Sequence, residues 1–406
     1  MPAARYDDPA RYIIEFESTR EDMGVRPTAA APRAGAAAGL SLPFPNGTAP
    51  KARPLAVQPS ASAKLPRADV LVVTWTAEEA KALADVFTPG FPRDTKWYKY
   101  KRLYNSYVPE ISANAPARSL QRLGTYFPSR VAGRDILCVK SDLHLNQDGV
   151  RTGNGTATLP VKRFLRQIID EVKPSLVITV GTAGATFPPA GTITVGGMNC
   201  PAHELGDVII TRGAKFHLTQ EFKNEPFAST GYRCQTFQIP QDRLDDSSDL
   251  LAVHAEKMTE PPFGVPTSKY GDTSPIPIPK NKPDFRIDGV DFPEFHPVLS
   301  ADSFVFGTST NGLEQNGSAV EMGDAVLGMV VDEMAAQGLD APDWLVIRNV
   351  SDPQINGELP GANIPGVPPA IRRALNMQVH WAVWYYETYG YWTSVNSAIA
   401  VWAMTA

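Results

Sequence analysis

Cysteine is nearly absent: the chain has three in 406 residues, Cys138, Cys200 and Cys234, with no Cys-x-x-Cys spacing. That excludes a disulfide framework and a cysteine-based zinc site, and it fits a reduced, cytoplasmic setting. Five of the six histidines, His144, His203, His254, His296 and His380, show no metal-ligand spacing either, so neither a metal nor a cofactor is expected. Long apolar runs are missing. Nothing approaches the roughly 18 uninterrupted apolar residues of a membrane span, and Met1-Pro2-Ala3-Ala4-Arg5-Tyr6-Asp7 lacks the apolar core of a signal peptide. One-sided charge is missing too: a formal net charge of −5 argues against a general nucleic-acid binder.

Proline is in excess, with 37 residues, about 9% against a usual share of about 5%. Ten fall within residues 1–67 and nine between Pro261 and Pro297, so the excess marks segments outside the core. Residues 24–67 also carry Arg26, Arg33, Lys51, Arg53, Lys64 and Arg67 and no acid. Such an Ala/Pro-rich basic stretch cannot bury enough surface to order itself. Residues 1–67 are therefore expected to be a largely disordered N-terminal segment and linker, with a short helix or strand at 9–23. At 43% apolar and 20% charged residues, the rest of the chain can bury a sizeable core.

The body, residues 68–406, opens with Val70-Leu71-Val72-Val73, the apolar run of a buried parallel strand. Thr76 to Leu83 reads as a helix with Thr76 as N-cap and Glu79 as its capping-box partner. Asp135–Val139 reads as a strand, Leu159–Val172 as a helix stopped by Pro174, and Leu176–Val180 as a strand running into Gly181-Thr182-Ala183-Gly184. Further on come a strand at Gly206–Ile210, a helix at Asp245–Met258 and a strand from Val298-Leu299 with Phe304-Val305-Phe306. A helix at Ala319–Met334 and a strand at Trp344–Ile347 complete the pattern. Alternating strands and helices predict an α/β domain, a three-layer α/β/α sandwich with a largely parallel mixed sheet. Ligands of such sheets sit beyond the carboxyl ends of strands, where Glu79, Thr182 and Asp352 fall.

Residues 88–130 and 259–297 read as long irregular insertions, larger than ordinary connections. The C-terminal stretch holds Trp381, Trp384, Tyr385, Tyr386, Tyr389, Tyr391, Trp392 and Trp402. It predicts a final helix whose aromatics either pack in the core or form an oligomer contact.

Six segments follow one another: Val72-Val73-Thr74-Trp75-Thr76-Ala77-Glu78-Glu79; Lys173 to Gly184; Gly206 to Ile210 with Lys215-Phe216-His217; Asp302-Ser303-Phe304-Val305; Val320-Glu321-Met322; and Arg348-Asn349-Val350-Ser351-Asp352. In this order they resemble the nucleoside phosphorylase/nucleosidase superfamily. The resemblance implies a phosphorylase/hydrolase-like fold, a small-molecule nucleoside or nucleotide as ligand, and a homo-oligomer. It makes Asp352 the acid that protonates or hydrogen-bonds purine N7, with Ser351 orienting it. It stacks Phe304 on the base, gives the base edge to the backbone of Val305, and lines the sugar with Thr182, Ala183, Gly184, Glu321 and Met322. Phe216 and His217 fall where members lend residues to the sugar's 5′ end. On their own, Asp352 would read as a turn cap, Phe304 as core and Gly181 to Gly184 as a tight strand-to-helix turn. Lys140, Arg151 and Arg212 flank these segments and could hold a 5′-phosphate, although solvated surface positions are the favoured reading for each.

Hexameric members that cleave with phosphate carry one Arg in a Gly/Pro-rich turn after the first strand and another three residues before the position of Thr182. Here the turn reads Trp75-Thr76-Ala77-Glu78-Glu79 and the second position is Thr179. Two carboxylates repel phosphate and suit activation of water, and Glu79 falls at the water-activating Glu of the hydrolytic members. One motif departs. Where the superfamily has Glu-Met-Glu, the second Glu accepting both ribose hydroxyls, this chain has Glu321-Met322-Gly323-Asp324. Gly323 cannot accept them; Asp324 is the candidate to reach the sugar in its place if the helix start is shifted, although one position later on an ideal helix points about 100° elsewhere, so the sugar or its clamp is altered. The resemblance thus implies a nucleosidase hydrolysing the N-glycosidic bond of a purine nucleoside or nucleotide. A phosphate-dependent phosphorylase and a non-catalytic nucleoside-binding or regulatory protein are the alternatives.

Overall fold

The computed structural model describes residues 40–145, 148–255, 283–358 and 377–406. The element expected at 9–23 lies outside them. Nine strands position the site: β1 (Val70–Thr74), β2 (Gly124–Val131), β3 (Arg134–Ser141), β4 (Leu176–Ala185), β5 (Val208–Thr211), β6 (Gly213–His217), β7 (Val298–Ala301), β8 (Ala319–Glu321) and β9 (Asp343–Asp352). The main helices are α1 (Ala77–Phe87), α2 (Pro160–Val172), α3 (Gln241–Ala255), α4 (Asp324–Ala336) and α5 (Met377–Thr405).

β1 is buried along its whole length and lies between β3 and β4, parallel to both. β4 pairs in parallel with β9 along its body and antiparallel with β8 at its far end. From β8 the sheet continues in parallel through β7 and β6, while β9 pairs antiparallel with β5. The result is a mixed, largely parallel sheet. Helices α1, α3 and α5 pack together as one group and α2 with α4 as another, giving the three-layer α/β/α arrangement. The apolar stripe on α2 (Val161, Phe164, Leu165, Ile168, Ile169) is buried throughout, as its 3.6-residue spacing requires.

Several expectations are corrected. Residues 40–67 are docked on the body. Lys51–Ala52 adds a short antiparallel strand to β2, Leu65 is buried and the Phe44 ring lies 5.2 Å from that of Trp402. Trp402 Nε1 also donates to the Thr48 carbonyl at 2.9 Å. The stretch buries too little against itself, but it has the body to bury against. The segment 88–130 is only partly irregular, since Tyr98–Tyr100 and β2 belong to the sheet. Of the segment 259–297, residues 259–282 lie outside the described residues, while Phe285–Ile287 forms a strand parallel to β5. Phe304-Val305-Phe306 is not a strand, and Ala319–Glu321 is a strand rather than the start of a helix. Pairing with β7 and β4 claims those three residues, and α4 starts only at Asp324.

The C-terminal aromatics pack inside the chain. Trp381, Tyr385, Tyr386, Tyr389 and Trp402 are buried, and Tyr391 donates to Asp85 at 2.6 Å. The Trp384 side chain lies outside the described residues. Among the described residues no helix is long and apolar enough to cross a membrane, and no group of three or more His, Cys, Asp or Glu could hold a metal ion.

Candidate active site

The sheet register brings three chemistry-bearing strand ends together. Val73 pairs with Thr179, Arg348 with Gly181, and Asp352 with Gly184, with an irregularity between Val350 and Asp352. Such a bulge re-aims the side chain that follows it. Beyond these ends lies a cleft of about 710 Å³, open solvent at its mouth included. Of the residues expected from the sequence, Glu79, Thr182, Ala183, Gly184, Phe304 and Val305 line it, as do Glu321, Met322, Ser351 and Asp352.

Glu79 is fixed by its helix start. Thr76 caps α1, and the reciprocal bond of the capping box brings Glu79 Oε2 onto Thr76 N at 2.8 Å. The same oxygen accepts from Thr74 Oγ1 at 2.8 Å and Trp75 N at 3.1 Å. Oε1 accepts from Thr182 N and Thr182 Oγ1, both at 2.8 Å. Five donors therefore converge on one buried carboxylate, and Arg348 Nη1 stands 3.9 Å away. Burial pushes the Glu79 pKa up, but Arg348 and the Thr76 and Thr182 donors outweigh it and hold it below its ordinary 4.5. Gly181 makes this approach possible, because a Cβ there would enter the Glu79 carboxylate and come within 2.7 Å of Arg348 Nη1.

Arg348, which follows the apolar run Trp344-Leu345-Val346-Ile347 on β9, is the cation of the site. Its Nε and Nη2 hold Asp324 in a fork at 2.8 and 2.5 Å, and Nη2 reaches Glu321 Oε2 at 3.3 Å. Glu321 also accepts from Ser300 Oγ and from Asp324 N at 2.8 Å. Burial and the Asp324 charge push the Glu321 carboxyl up. Asp324 does not face the cleft. It is fully buried and its carboxylate belongs to Arg348, so the expectation that it reaches the sugar is corrected. Phe216 is likewise not a cleft residue: it is buried with its ring 5.2 Å from Phe227. Half-buried His217, at the end of β6, does not line the cleft either.

Asp352 is the opposite of Glu79. Burial raises its carboxyl from an ordinary 3.8 to about 7, against the lowering effect of the Ser351 hydroxyl, which donates to Oδ1 at 2.8 Å. At neutral pH the cleft therefore holds one carboxyl kept ionised, that of Glu79, beside two that burial pushes up to about 7, those of Asp352 and Glu321.

The three bases considered for a phosphate are engaged elsewhere. Lys140 is buried on Asp142, Arg151 pairs with Glu221, and Arg212 forks onto Asp288 with Nη2 at 2.9 Å. The structure adds Trp75, His144, Arg348, Val320 and Tyr386 to the lining. A charge inside the run Trp344-Leu345-Val346-Ile347-Arg348 is a signal that could have marked Arg348. His144 and Tyr386 carry no such signal, since only the fold brings them near the strand ends.

No protein family's profile matches the chain, and no curated protein matches it. Among solved structures, the chain is similar to the 5′-methylthioadenosine/S-adenosylhomocysteine nucleosidase from Neisseria meningitidis in complex with methylthio-immucillin-A. That match has 13% identity and a TM-score of 0.41, covering 83% of this chain and 98% of that one. It is also similar to futalosine hydrolase of Helicobacter pylori strain 26695 (12% identity, TM-score 0.40, 82% and 96% covered). A third is the S-adenosylhomocysteine nucleosidase from Streptococcus pyogenes in complex with 5-methylthiotubericidin (13% identity, TM-score 0.41, 84% and 96% covered). These are likenesses of fold at low identity, and neither substrate nor reaction follows from them.

Proposed function

We propose that the chain is a nucleosidase of the nucleoside phosphorylase/nucleosidase superfamily that hydrolyses the N-glycosidic bond of a purine nucleoside. The observation that carries this reading is the pair of carboxyls in one cleft, Asp352 raised to about 7 and Glu79 held below its ordinary value. Two carboxyls pushed apart in this way divide the labour of acid and anion. Asp352 gives its proton to the departing base, which takes the electron pair of the C1′–N bond. Glu79 remains charged and stabilises the positive charge that grows on the sugar. Water adds to C1′, and its proton passes to Glu79 through Thr182, whose hydroxyl lines the cleft and already donates to Oε1. Phe304, Val305 and Met322 give the base and sugar apolar walls.

Hydrolysis rather than phosphorolysis, and a nucleoside rather than a nucleotide, are supported by charge. Among the described residues the guanidinium lining the cleft is that of Arg348, and the carboxyl groups of Glu79, Asp324 and Glu321 already surround it. A phosphate dianion would meet net negative charge there.

The test is to incubate the protein with adenosine, inosine, guanosine, methylthioadenosine and AMP, with and without phosphate, and to follow free base by chromatography. Release from a nucleoside at a rate indifferent to phosphate is expected. A requirement for phosphate would make the protein a phosphorylase, and binding without release would make it a nucleoside-binding protein.

A further inference from the structure

We infer that Trp75 and His144 bind hydroxyl oxygens of the sugar, and that position 323 is glycine so that the Trp75 indole can reach them. Both side chains line the cleft, at 5% and 2% exposure. Trp75 Nε1 and both ring nitrogens of His144 have no hydrogen-bond partner among the described residues. Folded proteins leave few such groups unpaired, and two in one cleft call for a ligand that pairs them. His144 Nδ1 stands 3.5 Å from Asp148 Oδ2, beyond a good hydrogen bond but close enough to orient the ring.

The chemistry of that ligand follows from what is already occupied. A sugar diol is commonly held by a carboxylate that accepts from it, but the carboxylates around Arg348 have little capacity left. Glu79 takes five donors, and both oxygens of Asp324 lie on Arg348. Glu321 is bonded to Ser300, Asp324 N and Arg348. The unpaired wall is donor-rich instead, so it suits acceptor oxygens, and the surrounding negative charge favours neutral hydroxyls over a phosphate. Trp75 sits within this group: the Arg348 guanidinium lies 5.0 Å from its ring centroid. A Cβ on residue 323 would stand 3.1 Å from Trp75 Cζ2 and 3.2 Å from Cε2. The indole thus fills the space that a side chain at 323 would take, and an N–H donor stands in place of an acceptor.

The inference rests on the nucleosidase reading only for its probes. Dissociation constants are measured by calorimetry for adenosine and its 2′-, 3′- and 5′-deoxy analogues, on an Asp352→Asn background to suppress turnover. Trp75→Phe and His144→Ala are each expected to weaken adenosine about 3- to 10-fold, the range of one neutral hydrogen bond. Each should leave unchanged the one analogue that lacks its partner oxygen. Gly323→Ala, which presses the indole back by a few tenths of an ångström without removing it, is expected to weaken the same ligands as Trp75→Phe, by a smaller factor. Equal losses on all four ligands, no loss on any, or no binding of any would overturn the assignment. Hydroxyl dependence in a protein that releases no base would sink the nucleosidase reading alone. Base release without that dependence would sink this inference alone.

Discussion

Replacing Asp352 by Asn should make the protein less active and more stable, by amounts that depend on pH in opposite ways. The unfolded carboxyl ionises near 3.8, whereas the folded one holds its proton to about 7. Between those values the folded state binds more protons than the unfolded state, so stability contributed at low pH is lost as pH rises. The loss is about 1.4 kcal/mol per pH unit across that window and levels off near 4 kcal/mol above it. Asn keeps the oxygen that accepts from Ser351 but never ionises. Relative to the acid limit, the variant should gain about 1–2 kcal/mol at pH 5, about 3 at pH 6 and about 4 at pH 8. For a chain of this length, the last figure is on the order of 5 °C in Tm. Turnover should fall by about 10²- to 10⁴-fold, the usual contribution of a general acid. In the wild type, turnover should itself decline as pH rises through about 7. Urea titrations at four pH values, paired with base-release assays, measure both effects. A stability difference that does not change with pH would refute the raised carboxyl, and with it the acid role.

Gly181→Ala drives a methyl group into the Glu79 carboxylate; a loss of about 1–3 kcal/mol is expected, with a fall in turnover, because overpacking here moves a charge. Asp142→Asn leaves the buried Lys140 and Arg122 without their shared anion. It should cost about 3–5 kcal/mol in urea melts. Burial raises the Asp142 carboxyl, but Lys140 and Arg122 outweigh that and hold it below its ordinary 3.8. Its stabilisation is therefore present above about pH 4 and lost as pH falls further. Leu65→Ala should cost about 2–5 kcal/mol if residues 40–67 are part of the folded body; a change below about 0.5 kcal/mol, typical of exposed sites, would mean a loosely attached arm.

The parts of the site that could be read from the sequence are those whose cause is local. The capping box at Thr76 and Glu79 needs only four residues, and the buried strands announce themselves as apolar runs. Strand ends then follow, and with them the place of Glu79, Thr182 and Asp352. What escaped the sequence depends on partners far away in the chain. Residues 40–67 look unable to fold because their partners lie far along the chain, that of Thr48 being Trp402, 354 residues further on. Asp324 looked like a substitute for the missing ribose ligand, but Arg348, across the sheet, takes both its oxygens. Ala319–Glu321 carries a helical pattern into a strand because β7 and β4 were already waiting on either side. His144 has no local signature at all.

The last helix has a consequence for when this protein can act. Asn349, next to Arg348, donates to Thr393 Oγ1 at 2.7 Å and accepts from Ser397 Oγ at 2.8 Å, while Tyr386 forms part of the cleft wall. During synthesis, the strand that carries Arg348 and Asp352 leaves the ribosome some 45 residues before Ser397 does. Until that helix arrives, an amide is left unpaired beside the site's cation and one wall of the cleft is open. A nascent chain that stops in between carries every acidic group of the proposed chemistry but lacks the Tyr386 wall and the partners of Asn349, so the site's lining depends on a helix made after its acids.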